Sequence, residues 1–130
     1  MKYLLNTNVL VNLLRGNSSP DPLIFPAGAA ISIITYAELL AGAHKSLNPP
    51  KNLKLIESLI QDLVLQVLPL DQNVIATYAP LRVELEKQGQ RLEDFDLLIA
   101  ATAITHHLIL VTANTKHFSI ITQLRLKTSP

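Results

Sequence analysis

The chain has 130 residues, 48% of them hydrophobic and 16% charged, with a net charge of +1 and no cysteine. That balance predicts one folded domain over 1–130 rather than disorder. Without cysteine there are no disulfides, thiolate zinc sites or cysteine nucleophiles, and a reducing compartment is compatible. The near-neutral charge gives no strong overall field toward nucleic acid, so any such binding must rest on local patches or a metal. No apolar run approaches the roughly 18 residues that span a membrane. The apolar opening meets Asn6 too early for a signal peptide. A cytoplasmic protein without a membrane segment is expected.

In chain order, Tyr3, Leu4 and Leu5 form a short apolar run that suits a buried strand. A short helix over 9–14 follows, stopped by Gly16. Residues 17–28 carry Pro20, Pro22 and Pro26 and read as loop. A second buried strand is expected over 30–34. Thr35 and Glu38 then have the spacing of a capping box opening a helix over 35–43. Pro49 and Pro50 separate this helix from the next, whose stripe is Leu53, Ile56, Ile60 and Leu63. Val67 and Leu68 suit a short strand. Asp71 caps a helix with Val74, Tyr78, Leu81 and Leu85 on one face, ended by Gly89. Asp94 caps a helix over 95–107, a third strand covers 108–112, and a last one is expected over 124–126. Strands alternate with helices, which predicts an α/β fold: a mainly parallel central sheet with helices on both faces.

In such a sheet, sites form at the carboxyl ends of strands. Asn6, Thr7 and Asn8 follow the first strand, Thr35 and Glu38 the second, and Thr112 and Asn114 the third, while Asp94 and Asp96 open a helix. Their oxygens suit Mg²⁺ or Mn²⁺, and a hard cation in a carboxylate cluster can activate water toward a phosphodiester. Each residue also has a plain explanation. Glu38 can complete a capping box, Asp94 can cap, and Asn6 and Asn114 can close turns. Asp96 is harder to explain away, because a run that must be buried follows it directly. Other constellations are weaker. His44, His106, His107 and His117 lack a zinc-ligand spacing. There is no glycine-rich phosphate loop and no serine in a nucleophile elbow. Arg82, Lys87 and Arg91 can touch phosphate but suit a solvated face equally well, and the few aromatics make no stacking platform.

Four stretches, in order, resemble a known family. Leu4-Leu5-Asn6-Thr7-Asn8 is similar to the opening of PIN-domain ribonucleases of the VapC type, where Leu-Leu-Asp-Thr-Asn is usual. The stretch from Ile31 to Leu39, with Gly42 and Ala43, resembles their second motif. Asp96-Leu97-Leu98-Ile99-Ala100-Ala101 resembles the third, and Leu110-Val111-Thr112-Ala113-Asn114 through Phe118 the fourth. The resemblance covers nearly the whole chain. It implies a PIN-like fold and a Mg²⁺- or Mn²⁺-dependent endoribonuclease that cleaves RNA by metal-activated water. Such a protein is the toxin of a toxin–antitoxin pair. Asn6, Glu38 and Asp96 match the metal-holding acids, Asn114 a fourth polar position, and Thr7 and Thr112 supporting hydroxyls. His117 stands where the family often has an acid.

Asn6 is the departure. An amide has nearly the shape of a carboxylate but carries no charge and one oxygen instead of two. Metal affinity and cleavage should both fall, as in an inactivated variant, introduced or natural. The rival readings are a non-catalytic PIN-fold module that binds RNA or an antitoxin peptide, and an unrelated doubly wound domain whose acids all cap helices. The helix over 36–43 and the stripe through Leu53, Ile56 and Ile60 carry more apolar surface than one face needs, which points to a partner. The resemblance implies a homodimer and a VapB-like antitoxin peptide in a groove beside the site.

Overall fold

The computed structural model describes residues 1–129. The elements are β1 (Tyr3–Leu5), α1 (Thr7–Arg15), α2 (Ile24–Ala27), β2 (Ala29–Ser32), α3 (Ile33–Lys45), α4 (Pro49–Asp62), β3 (Gln66–Leu68), α5 (Gln72–Lys87), α6 (Asp94–Thr105), β4 (Ile109–Thr112), α7 (Thr115–Phe118) and β5 (Leu126–Thr128). The strands form one sheet in the order β3-β2-β1-β4-β5, and every neighbouring pair is parallel. Short strands joined through helices leave this as the natural arrangement.

Adjacent strand residues point to opposite faces, so each central strand feeds two cores. Leu4, Ala30 and Leu110 pack on one face with Leu81 and Leu85 of α5 and Leu97, Ile99 and Ala103 of α6. Leu5, Ile31 and Val111 pack on the other with Val9 and Leu10 of α1, Leu39 of α3 and Ile56 of α4. Helix α6 is buried over most of its surface, which explains why its sequence is apolar all round.

Several expected boundaries move, each for a local reason. Helix α1 starts at Thr7 because Asn6 Oδ1 accepts the Thr7 N–H. The proline-rich stretch holds the single turn α2. Asp21 closes the turn before it, and Pro26 lies in the first turn, where its missing N–H costs nothing. Strand β2 stops at Ser32, whose hydroxyl accepts the Ile34 N–H at 3.0 Å and starts α3 there. Thr35 therefore lies inside the helix, and the Thr35–Glu38 capping box does not form. Pro49 and Pro50 are the first turn of α4, capped by Asn48. Asp71 caps α5 as expected, through Val74 N–H at 3.0 Å. Glu93, not Asp94, stands at the N-cap of α6, and the helix ends at Thr105, so His106 and His107 lie beyond it. The turn α7 carries no signal in the sequence, and the last strand is 126–128 rather than 124–126. Among the described residues no helix is long and apolar enough to cross a membrane.

The buried face of α6 sets the first test. Ile99→Ala should destabilise the protein by roughly 2–5 kcal/mol, because Ile99 is fully enclosed and its neighbours cannot close the cavity. Ile75→Ala on the exposed side of α5 should change little. Denaturant melts of the two variants check this; equal midpoints would contradict the packing described.

Candidate active site

The sheet order changes direction at β1, which lies between β2 and β4. The carboxyl ends of β1 and β4 thus flank a topological switch point, where a crevice is left open. Asn6 follows β1 directly and is buried. Its backbone N–H donates to Val111 O at 2.9 Å, continuing the ladder. Its Nδ2 donates to Thr112 Oγ1 at 2.9 Å, and its Oδ1 caps α1.

Thr112 Oγ1 is the hub of this corner. Besides Asn6 it receives Asn8 Nδ2 at 3.2 Å and the Asn114 backbone N–H at 3.1 Å. A hydroxyl oxygen has two lone pairs and one proton of its own. Three N–H donors overfill it, and its proton is left without a partner among these groups. A carboxylate at position 6 would remove one donor and take that proton.

The two expected acids arrive from opposite layers. Glu38, on α3, accepts from Thr7 Oγ1 at 2.8 Å, and Thr7 Oγ1 lies 3.0 Å from Thr35 Oγ1. With its proton committed to the carboxylate, Thr7 accepts from the buried Thr35 hydroxyl. Thr7 and Thr35 thus hold Glu38 in place, the role that the spacing suggested as a cap. Asp96, in the first turn of α6, meets His117 Nε2 at 2.9 Å through Oδ2. The sequence did not mark this pair, because α7, which carries His117, has no periodic signature in four residues.

Asn6, Thr7, Glu38 and Asp96 line one open cleft of about 400 Å³. Asn8, Asn12 and Arg15 complete its α1 side. These three fall at helical spacing on one face, a pattern visible in the sequence but easily lost among the apolar positions between them. Asn114 is not among the lining residues. Its side chain accepts the His117 N–H at 3.4 Å and caps α7, so it serves the cleft through Thr112 and His117 rather than directly. Asp94 also turns away. Its Oδ1 accepts from Tyr78 OH at 2.7 Å and pairs with Arg82 at 3.3 Å, although it shares an adjoining hollow with Glu38 and Asp96. Hydrogen bonds with Tyr78 and then Glu86, helped by the charge of Asp94, hold the Arg82 guanidinium above its ordinary pKa.

Two carboxylates and a hydroxyl around a solvent-open cleft are the donors a hard divalent cation prefers, and Mg²⁺ needs few direct protein ligands. The residues fit such an ion in kind but are short in charge. Among the described residues no cluster of three or more acidic, histidine or cysteine side chains stands together. Glu38 therefore stands apart from the Asp96–His117 pair across the cleft.

Comparison with known proteins agrees with this architecture. The model of the PIN domain matches residues 3–122. The chain is 33% identical to Ribonuclease VapC2 of Haemophilus influenzae and 32% identical to the tRNA(fMet)-specific endonuclease VapC of Shigella flexneri, covering 96% of each chain in both comparisons. Among solved structures it is similar to VapBC2 from Rickettsia felis, bound to a DNA fragment from its promoter. There the TM-score is 0.89, the identity 32% and the coverage 98% of both chains. The chain belongs to the PIN-domain family.

Proposed function

We propose that this chain is the toxin of a VapBC-type toxin–antitoxin pair, a single PIN domain built as a Mg²⁺- or Mn²⁺-dependent endoribonuclease and weakened as written by Asn6. The observation that carries this reading is the meeting of Asn6, Glu38 and Asp96 in one cleft at the β1–β4 switch point. The relatives named as ribonucleases and the VapBC structures support the same activity and partner class. Glu38 and Asp96 would hold the ion, which when bound offsets the charge that develops on the phosphodiester and activates water. Thr7 and Thr35 fix the Glu38 carboxylate. His117 fixes Asp96 from the side. Thr112 orients position 6. Asn8, Asn12 and Arg15 give the RNA backbone hydrogen-bond donors and one positive charge along the rim.

A second reading has its own observation. Both polar atoms of Asn6 are already committed, Nδ2 to Thr112 and Oδ1 to Thr7 N–H. A site in that state suits a non-catalytic module that keeps the fold and binds RNA or the antitoxin.

For the antitoxin, an apolar groove adjoins the cleft between α1, α3 and α4. Leu14, Leu39 and Ile56 form its apolar lining, and Glu38 and Arg15 line both groove and cleft. A peptide laid there by its apolar side chains would end against the catalytic carboxylate, which fits an inhibitor. The proposal includes a homodimer, for which exposed Ile75, Val83 and Phe95 on α5 and α6 offer apolar surface.

Cleavage of total RNA separates the two readings. Asn6→Asp should raise metal-dependent cleavage by about a hundredfold or more, since it restores a charge at the reacting centre. Glu38→Gln added to that variant should remove the gain. A folded Asn6→Asp protein that cleaves nothing would favour the non-catalytic module. At the groove, Leu55→Glu puts a charge among the apolar contacts at a position already half-exposed, so folding should be spared. Capture of the co-expressed antitoxin should fall by about tenfold or more. Unchanged capture would move the antitoxin to another surface.

A further inference from the structure

A second hollow, of about 340 Å³, lies between the C-terminal half of α5, the loop 88–93 and the start of α6. The reaction described above does not use it. Yet His117 forms one of its walls, and the same imidazole meets Asp96 of the cleft at 2.9 Å. The His117–Asp96 pair thus joins the hollow to the cleft, and Glu93 and Asp94 line both this hollow and the one that Glu38 and Asp96 share.

Its floor is apolar, made by buried Leu85 and Leu97 with Leu92 beside them. Part of its polar rim is already committed. Arg82 meets Glu86 at 3.1 Å, Tyr78 OH at 2.9 Å and Asp94 at 3.3 Å. Three rim side chains are not: Gln90, Arg91 and Glu93 make no hydrogen bond or ion pair among the described residues. Glu93 even stands at the N-cap of α6 without capping it. The loop that carries Gln90 and Arg91 is held at its start. Gln90 N–H donates to Leu85 O at 2.9 Å, and Gly89 makes the turn at φ +69°.

The charges decide what can sit there. Two guanidinium groups, Arg82 and Arg91, face three carboxylates, Glu86, Glu93 and Asp94. A phosphate would be repelled. A flat ring on an apolar floor would not, and unpaired RNA bases are commonly recognised by their edges. Guanine presents two adjacent N–H donors, which suit a free carboxylate, and the O6 and N7 acceptors, which suit a free guanidinium. Glu93 and Arg91 are the free carboxylate and guanidinium of this rim.

We propose that this hollow seats one unpaired guanine of the RNA substrate, next to the phosphodiester held in the cleft, with Glu93 and Arg91 reading its edges. The proposal rests on the ribonuclease reading and adds a base-specificity site to it. Because the chain as written is expected to cleave weakly, binding can be measured directly with it. In fluorescence anisotropy with Mg²⁺ present, a labelled nine-nucleotide oligouridine carrying one central guanine should bind about tenfold tighter than oligouridine itself. Inosine in place of guanine lacks the 2-amino donor and should lose part of that preference. Glu93→Ala and Arg91→Ala should each cut the preference to about twofold or less, while oligouridine binding stays within about twofold. Both residues are exposed, so neither change should disturb the fold. Equal binding of all the RNAs, preference for another base, or a guanine preference that survives both substitutions would overturn the proposal. Failure to bind any single-stranded RNA would overturn the ribonuclease reading together with it, whereas equal binding leaves that reading standing.

Discussion

The hydroxyl of Thr112 ties the ends of the two central strands to each other. It is buried, it receives three N–H groups, and one of them is the side-chain amide of Asn6 at 2.9 Å. The α1 side of the cleft and the start of α7 depend on where this corner holds its residues. Asn6 caps α1 from it, which sets the direction of Asn8, Asn12 and Arg15. The Asn114 backbone is drawn in, which starts α7 and places His117 against Asp96.

The same geometry explains why the fold tolerates an amide at the middle of the proposed site. Asn and Asp occupy nearly the same volume, so the packing around β1 and β4 is indifferent to the exchange. What changes is charge. With Asn6 the cleft holds Glu38 and Asp96 alone as acids, and Asp96 shares one oxygen with His117. Removing a negative charge from a cluster of acids lowers their mutual repulsion while lowering the attraction for a divalent ion. The charge at position 6 therefore matters more to a bound cation than to the packing.

Much of this was legible in the sequence. The alternation of short apolar runs with helical stripes pointed to the parallel sheet, the polar residues after the first two runs marked Asn6 and Glu38 as candidates, and a helix start marked Asp96. Asp71 as a cap and Gly89 as a stop were readable because each signal is local. What escaped depended on choices between equivalent local signals. Ser32 and Thr35 can both start a helix, and only the position of the strand end selects Ser32. Asp94 and Glu93 compete in the same way, and the pull of Tyr78 and Arg82 from α5 takes Asp94 out of the capping role. The pairing of His117 with Asp96 joins residues far apart in the chain through a four-residue turn, and no periodicity announces such a contact.

In the proposed reading, position 6 belongs to a cation site from which one carboxylate is missing. Calorimetric titration with Mn²⁺, in the absence of RNA, tests it without relying on catalysis. Asn6→Asp should bind Mn²⁺ about tenfold or more tightly than the chain as written, with both proteins folded to the same extent. Equal affinities in two well-folded proteins, or no binding by either, would contradict it.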